Sequence, residues 1–319
     1  SSPRMNVADL RTKGWEASIT WGDSFTLASK PFNYRIMAGI GDNTSKVTKY
    51  DNPNRTLTDP YEGQQLGEIW GYVVDGYFKT DEEARNYKVD QSFVNQMINA
   101  SALDNGLHAG DLKFVDLDGN NKIEQTTSAN DRKDMKVIGN SLPRYNYNLG
   151  ISADWYGIDF SVLFQGIGKQ NWYPGAETSM FWGPYSRPYA SFIPSDFMSQ
   201  VWSEENSNAY FPRPRGYVAL GSNRELAVVN TKYLQNLAYC RLKNLSIGYT
   251  LPDKWLSKIG FEKIRVYFSG ENLLTFTKLH SDYIDPEQAS ASNSWKTSKS
   301  DANIYPWAKT YSFGVDITF

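Results

Sequence analysis

Tyr311, Phe313, Val315, Ile317 and Phe319 occupy every second position at the end of the chain, with Ser312, Gly314, Asp316 and Thr318 between them. Successive side chains of a strand point to opposite faces, so this segment has one apolar face and one polar face. An exposed apolar strand that stops on an aromatic is an aggregation hazard in a soluble domain. It suits a transmembrane β-barrel, whose strands turn an apolar face to lipid and whose last strand pairs with the first. The last strand of a soluble sandwich is the competing reading, and the rest of the sequence must decide between them.

The same alternation recurs along the chain. Trp15, Ala17, Ile19 and Trp21 form one apolar row, and Phe32, Tyr34, Ile36, Ala38 and Ile40 form the next. Tyr145, Tyr147, Leu149, Ile151 and Ala153 follow, then Ile158, Phe160, Val162 and Phe164 after a tight connection at 154–157. Leu245, Ile247 and Tyr249 precede Ile264, Val266 and Phe268. Leu242 is out of phase with Leu245, which predicts a β-bulge near Lys243 and Asn244. Lys263, Arg265, Tyr267, Ser269 and Glu271 share the opposite, wet face of their strand.

Connection lengths sharpen the reading. The links 22–31, 154–157 and 251–262 are short, whereas 47–143, 169–236 and 272–306 are long. Outer-membrane barrels have short periplasmic turns and long extracellular loops, and structureless loops of this length are uncommon in compact domains. The fold expected is all-β: about seven antiparallel strands forming the C-terminal part of a large transmembrane β-barrel, with long extracellular loops that contain short helices. Helices are expected over 81–101, capped by Thr80 or Asp81, from Pro194 to Trp202, and from Asp253 to Lys258. The chain opens almost directly into a strand pattern without an export signal, and its strand count is odd where bacterial barrels are normally even. Both features predict a piece of a larger protein.

Composition agrees where it speaks. The formal net charge of the 319 residues is -2, which supplies no field for nucleic acid. Mean hydropathy is -0.55 and no long apolar run exists, so no transmembrane helix is available; barrels look equally hydrophilic on average. Aromatics make up 15%, a level shared by barrels with interfacial girdles and by carbohydrate-binding sandwiches. A secreted, aromatic-rich carbohydrate-binding module is therefore the alternative to a barrel. Cys240 is the single cysteine, so it has no partner for an intrachain disulfide.

Residues 116–124 read Asp-Leu-Asp-Gly-Asn-Asn-Lys-Ile-Glu. Asp116, Asp118 and Asn120 alternate as in an EF-hand-type loop, Lys122 offers its carbonyl, Glu124 falls at a ligand position, and Ile123 is the apolar anchor. Asn121 stands where such loops carry glycine, and Asn tolerates a left-handed backbone. Thr127 stands where the bidentate Glu belongs, so Asp131 or Asp111 is needed to complete the shell. The chemistry predicted is a structural Ca²⁺ that pins a long loop; the competing reading is an Asx-rich turn closed on itself. Trp172, Tyr173, Phe181, Trp182, Tyr185 and Tyr189 crowd another long loop. Of these, Trp172, Tyr173, Trp182 and Tyr185 are candidates for stacking on a sugar or peptide, with loop packing as the alternative. Two histidines and one cysteine are too few for a zinc site, and no nucleophile elbow or phosphate loop is present, so no enzyme is expected.

Taken together, Asn6 to Glu16, Gly63 to Tyr72, Asp75 to Phe78, Gly110 to Gly119, Val137 to Asn140 with Pro143, Arg241 to Tyr249, Ser269 to Leu274 and the terminal strand resemble the SusC/RagA family of TonB-dependent outer-membrane transporters of Bacteroidetes. The resemblance implies a barrel of about 22 strands with an N-terminal plug, of which residues 1–319 are the C-terminal barrel portion, the plug and the N-terminal barrel being absent from this stretch. It implies active import of a large nutrient, an oligosaccharide or oligopeptide, across the cell outer membrane. It also implies a SusD-like surface lipoprotein and TonB as partners, outer-membrane lipid around the barrel, and no nucleic acid. Tyr311, Phe313, Gly314, Ile317 and Phe319 are expected to signal to the barrel-assembly machinery. In the family an Asp-Arg pair runs directly into Val-Ile-Gly; here Lys133 to Lys136 intervene between Asp131-Arg132 and Val137, which weakens Asp131 as a ligand.

Overall fold

The computed structural model describes residues 7–95, 106–186, 193–214, 216–256, 260–289, 299–300 and 305–319. Seven long strands form one antiparallel sheet in chain order, the wall of the molecule. They are β1 (Ala8–Leu27), β2 (Lys30–Tyr50), β3 (Arg144–Trp155), β4 (Ile158–Lys169), β5 (Tyr239–Thr250), β6 (Lys263–Thr277) and β7 (Thr310–Thr318). The first two are longer than their apolar rows. At about 3.3 Å per residue, the 20 residues of β1 reach well over twice the ~25 Å apolar band of a membrane barrel. Backbone pairing continues where the hydropathy pattern has stopped, because ladder hydrogen bonds do not depend on which face is apolar.

Register turns the sequence alternation into rows that cross the wall. Tyr34, Ala153, Phe160, Ile247, Phe268 and Phe313 stand side by side on successive strands. The neighbouring row is Gly22, Arg35, Ser152, Ser161, Ser246, Ser269 and Ser312. Since adjacent rows point to opposite faces, one face of the wall is apolar and the other polar. The bulge lies where the phase change predicts it: pairing shifts between Leu242 and Asn244 against both β4 and β6. Across from it Asn272 adopts φ 53°, a left-handed backbone that Asn tolerates better than most residues.

At one end of the wall the connections are tight. Ala28 and Ser29 (φ 49° and 62°) join β1 to β2, and Tyr156 and Gly157 (φ 48° and 85°) join β3 to β4. Two successive positive φ values are the signature of a hairpin turn whose twist matches the flanking strands. The third tight end carries a short helix, Asp253–Leu256, inside the range expected from sequence; 257–259 lie outside the described residues.

At the other end the long connections build a head with its own hydrophobic core, centred on Phe114, Trp172, Phe181, Trp182, Phe211 and Tyr233. Two helix expectations need correction here. The first helix covers Asp81–Arg85 alone, although Thr80 caps it as expected by accepting from the Glu83 amide. The helix ends at Asn86, whose amide closes on Ala84 O and Glu82 O; farther on, the Gln91 side-chain amide bridges Leu112 O and Phe114 N at 2.8 and 3.2 Å. The last part of the expected range, 96–101, lies outside the described residues. The second expectation resolves into a single 3-10 turn, Phe197–Gln200.

Candidate functional site

The wall places its apolar residues outward. Phe313 is 82% and Phe319 81% exposed, and Tyr311, Val315 and Ile317 are exposed with them. Gly314 faces the other way, where a Cβ would collide with the Tyr267 ring at 2.3 Å. Trp15, Ile19, Trp21, Ile36, Ile40, Ile247 and Val266 extend the exposed apolar surface across the sheet. Contiguous apolar patches of this extent are rare on soluble monomers.

The polar face is held by charge. Arg265 of β6 reaches across β5 to Asp159 of β4, with Nε–Oδ2 and Nη2–Oδ1 at 2.8 and 2.6 Å, and its Nη1 also meets Asp316 of β7 at 3.2 Å. Gly248 makes the crossing possible, since a Cβ there would lie 2.5 Å from both the Arg265 guanidinium and the Asp159 carboxylate. Arg265 and Val266 therefore occupy opposite faces, as the alternation requires. Nearer the head, Arg241 is buried and pairs with Asp285 and Glu287, and Lys243, the bulged residue, joins Glu287 at 2.8 Å. This tethers the last long connection to β5.

The acidic loop is compact. Asp116 accepts from the amides of Gly119 and Asn121 at 2.7 Å each, Asp118 accepts from Asn120 N at 3.1 Å, and Asn120 accepts from Lys122 N at 2.8 Å. Asn121 has φ 63°, the left-handed turn its identity suggested, and Ile123 is fully buried. Glu124 takes Asn120 Nδ2 at 3.1 Å and Lys133 Nζ at 3.3 Å. The structure brings Asp116 and Asp118 together with Asp134, carboxylate oxygens of all three lying within 4.8 Å of one another. Asp131 is not in this group; its carbonyl accepts from Thr126 Oγ1. Asp111 is buried against Arg213, Nε to Oδ1 3.1 Å.

Asp134 is the residue that sequence reasoning missed. It belongs to the segment 133–136 by which the chain departs from the family pattern. It is fully buried and accepts from Leu117 N and Glu124 N at 2.8 and 2.7 Å. Burial raises its carboxyl above the ordinary value; the two amides oppose this, and the Asp118 and Asp116 charges add to it. Desolvation also acts on Asp116, but the Asn121 and Gly119 amides outweigh it and hold that carboxyl below its ordinary value. The loop thus holds one carboxyl, Asp134, that resists ionising close to another, Asp116, that its amide donors keep ionised.

The four candidate stacking residues sit in the head core. Trp172, Tyr173 and Trp182 are 0% exposed and Tyr185 1%. Three of them bond a backbone carbonyl: Trp182 Nε1 donates to Gly175 O at 2.9 Å, Tyr173 Oη to Leu226 O at 2.8 Å, and Tyr185 Oη to Pro212 O at 2.7 Å. No ring face of these four is open to a ligand. Aromatic clustering in sequence marks packing as readily as binding. Tyr189 lies outside the described residues.

No family model matches the chain. TonB-dependent receptor P3 of Formosa agariphila is 26% identical over 338 residues, covering 100% of this chain and 30% of that protein. TonB-dependent receptor SusC of Bacteroides thetaiotaomicron is 22% identical over 317 residues, covering 99% of this chain and 27% of that protein. Among solved structures, the RagAB peptide importer in its open-open state superposes with a TM-score of 0.64 at 19% identity, over 98% of this chain and 29% of that chain. Its closed-closed state gives 0.62. The chain spans about three tenths of the length of the curated relatives it matches. Its fold is that of the C-terminal part of a TonB-dependent barrel, and its relatives are receptors and transporters, not enzymes.

Proposed function

We propose that this chain, which is SusC/RagA-like over its whole length, forms the C-terminal barrel wall of a TonB-dependent importer in the bacterial outer membrane. The cargo is a large nutrient, an oligosaccharide or an oligopeptide. The observation that carries this reading is the seven-stranded wall with apolar and polar rows alternating across it. An apolar outer face is what lipid requires and a polar inner face is what a wet lumen requires. The tight ends then face the periplasm and the head faces outward, where a SusD-like surface lipoprotein meets it. TonB couples energy through the plug of the whole protein. The carbohydrate-binding module loses its support, because its aromatic platform is buried and its sheet is apolar on the outside.

Two tests follow. The full-length protein should need detergent for extraction and should support growth on an oligomeric nutrient only when TonB is intact; a monodisperse native protein without detergent contradicts the reading. Deleting Phe319, the exposed aromatic just after β7, should reduce the outer-membrane pool by impairing recognition by the barrel-assembly machinery. Unchanged surface levels make Phe319 ordinary packing.

We further propose that Asp116, Asp118 and Asp134 hold a structural Ca²⁺, with Asn120, Glu124 and the Lys122 carbonyl supplying further oxygens. Asp134 replaces Asp131 in the shell. Three carboxylates this close repel one another, and a hard cation with oxygen ligands relieves the repulsion. Because an ion bound to the folded loop suppresses its opening, a chelator should expose protease sites around 105–135, and Asp118→Ala should reproduce that digestion pattern. A pattern indifferent to chelator leaves an Asx-rich turn.

A further inference from the structure

Two lysines that lie over aromatic rings, Lys113 in the head and Lys243 where β5 meets it, carry a counter-charge. Lys113 lies 6.0 Å from the Phe78 ring centre and is paired with Glu83 and Asp75 at 3.0 and 3.5 Å. Lys243 lies 5.8 Å from the Trp307 ring and is paired with Glu287 at 2.8 Å. Lys232, half-buried in the head, differs from these two. Its Nζ lies 4.8 Å from the Tyr77 ring centre and 5.4 Å from that of Tyr210, yet no carboxylate of the described residues comes within 4.0 Å of it. The residue is half-buried. Burial lowers the ammonium from its ordinary value, as expected for a cation held by ring faces alone.

The surroundings are fixed before any ligand arrives. Asn230, fully buried, accepts from the amides of Lys232 and Tyr233 at 3.0 and 3.1 Å. Tyr77 Oη donates to Tyr210 O at 2.5 Å and shares a 2.8 Å hydrogen bond with Tyr233 Oη. Gln235 Nε2 donates to Tyr210 Oη at 2.8 Å. His280 stacks on Tyr210 with ring centres 3.5 Å apart and meets Gln200 Oε1 through Nε2 at 2.8 Å. An ammonium without a counter-charge among the described residues is therefore held over two fixed phenol rings, itself half-buried, just ahead of β5.

We propose that Lys232, flanked by Tyr77 and Tyr210, is a binding point for a carboxylate carried by the imported oligomer. The inference rests on the import reading and gives it a chemical preference. A single half-buried ammonium without a counter-charge among the described residues matches a monovalent carboxylate. Phosphate recognition calls for a guanidinium fork or several converging donors, and no arginine of the described residues shares a ring or hydrogen bond with this cluster. The carboxylate comes from an oligopeptide C-terminus or from a uronic-acid oligosaccharide, and the test separates these sources.

Binding is measured on the full-length transporter in detergent with its lipoprotein partner. Four probes are used: an oligopeptide as free acid and as C-terminal amide, and an oligogalacturonide as free acid and as methyl ester. One acid form should bind more tightly than its neutral counterpart. Lys232→Met keeps the stem between the rings and should weaken that acid form about tenfold, the scale of a lost charge-assisted hydrogen bond, while leaving the neutral form within about twofold. Lys232→Arg should restore most of the preference. Equal weakening of acid and neutral forms by Lys232→Met assigns the residue to packing and overturns the proposal, as does an unchanged acid preference. If none of the four binds the unsubstituted protein, the carboxylate proposal falls, while the import reading is decided separately by TonB-dependent growth.

Discussion

The wall and the head obey opposite rules. In the wall the large apolar side chains are outside, with Phe313 82% exposed, and stability comes from ladder hydrogen bonds and cross-strand rows. In the head they are inside: Trp182 is 0% exposed and packs edge-on against Phe181 and Tyr233 at 4.7 and 5.2 Å. One chain thus contains a sheet that leaves its large apolar side chains exposed and a head that buries them. A residue's apolarity alone says nothing about its burial here. The region to which it belongs decides.

The sharpest way to break this comparison is to truncate equivalent residues in both regions. Trp182→Ala should cost about 3–5 kcal/mol, as large-to-small changes in a packed core do, and should appear as protease sensitivity of the head in the full-length protein. Trp21→Ala on the exposed wall face should leave the head's digestion unchanged and cost far less. Equal costs would mean that the two regions do not differ in kind. Next in size is Val266→Arg, which should cost about 2–4 kcal/mol near a bilayer midplane, read as a lower urea midpoint for folding into lipid vesicles. A neutral outcome would place Val266 away from lipid.

The smallest expected effect sharpens the account of the head. The Asp134 carboxyl is raised by burial, so the folded loop binds its proton more tightly than the unfolded loop does. That contribution is fully present below the unfolded carboxylate value and is lost as pH rises through the folded one. In chelator, protection of residues 105–135 from a protease active across the range should therefore decline as pH rises through the carboxylate range and above it. With Ca²⁺ present, protection should persist at neutral pH. Protection in chelator that rises with pH would show that Asp134 does not govern the loop.

Much of the wall was legible in the sequence because period-two alternation maps directly onto its faces. Even the bulge at Lys243 followed from Leu242 falling out of phase with Leu245. Strand ends were not legible: β1 and β2 run beyond their apolar rows on backbone pairing alone. The head was the less legible region, since its contacts join residues far apart in the chain. Trp182 beside Tyr233 carries no periodic signal, and neither does Gln91, which meets partners at 112 and 114. Asp134 was hidden for a related reason. It reaches Asp116 and Asp118 only after the intervening segment turns back, and the one available signal was an acid placed just before the strand Met135–Asn140.

The central claim is that the apolar face of the wall meets lipid and the polar face meets water. Nitroxide labels placed one at a time at positions 264 to 268 of the full-length protein in bilayers, in a Cys240→Ser background, test it directly by their accessibility to oxygen and to a water-soluble nickel chelate. A period of two is expected, with labels replacing Ile264, Val266 and Phe268 favouring oxygen and those replacing Arg265 and Tyr267 favouring the chelate. Oxygen preference at Arg265 with chelate preference at Val266, or no alternation at all, contradicts it.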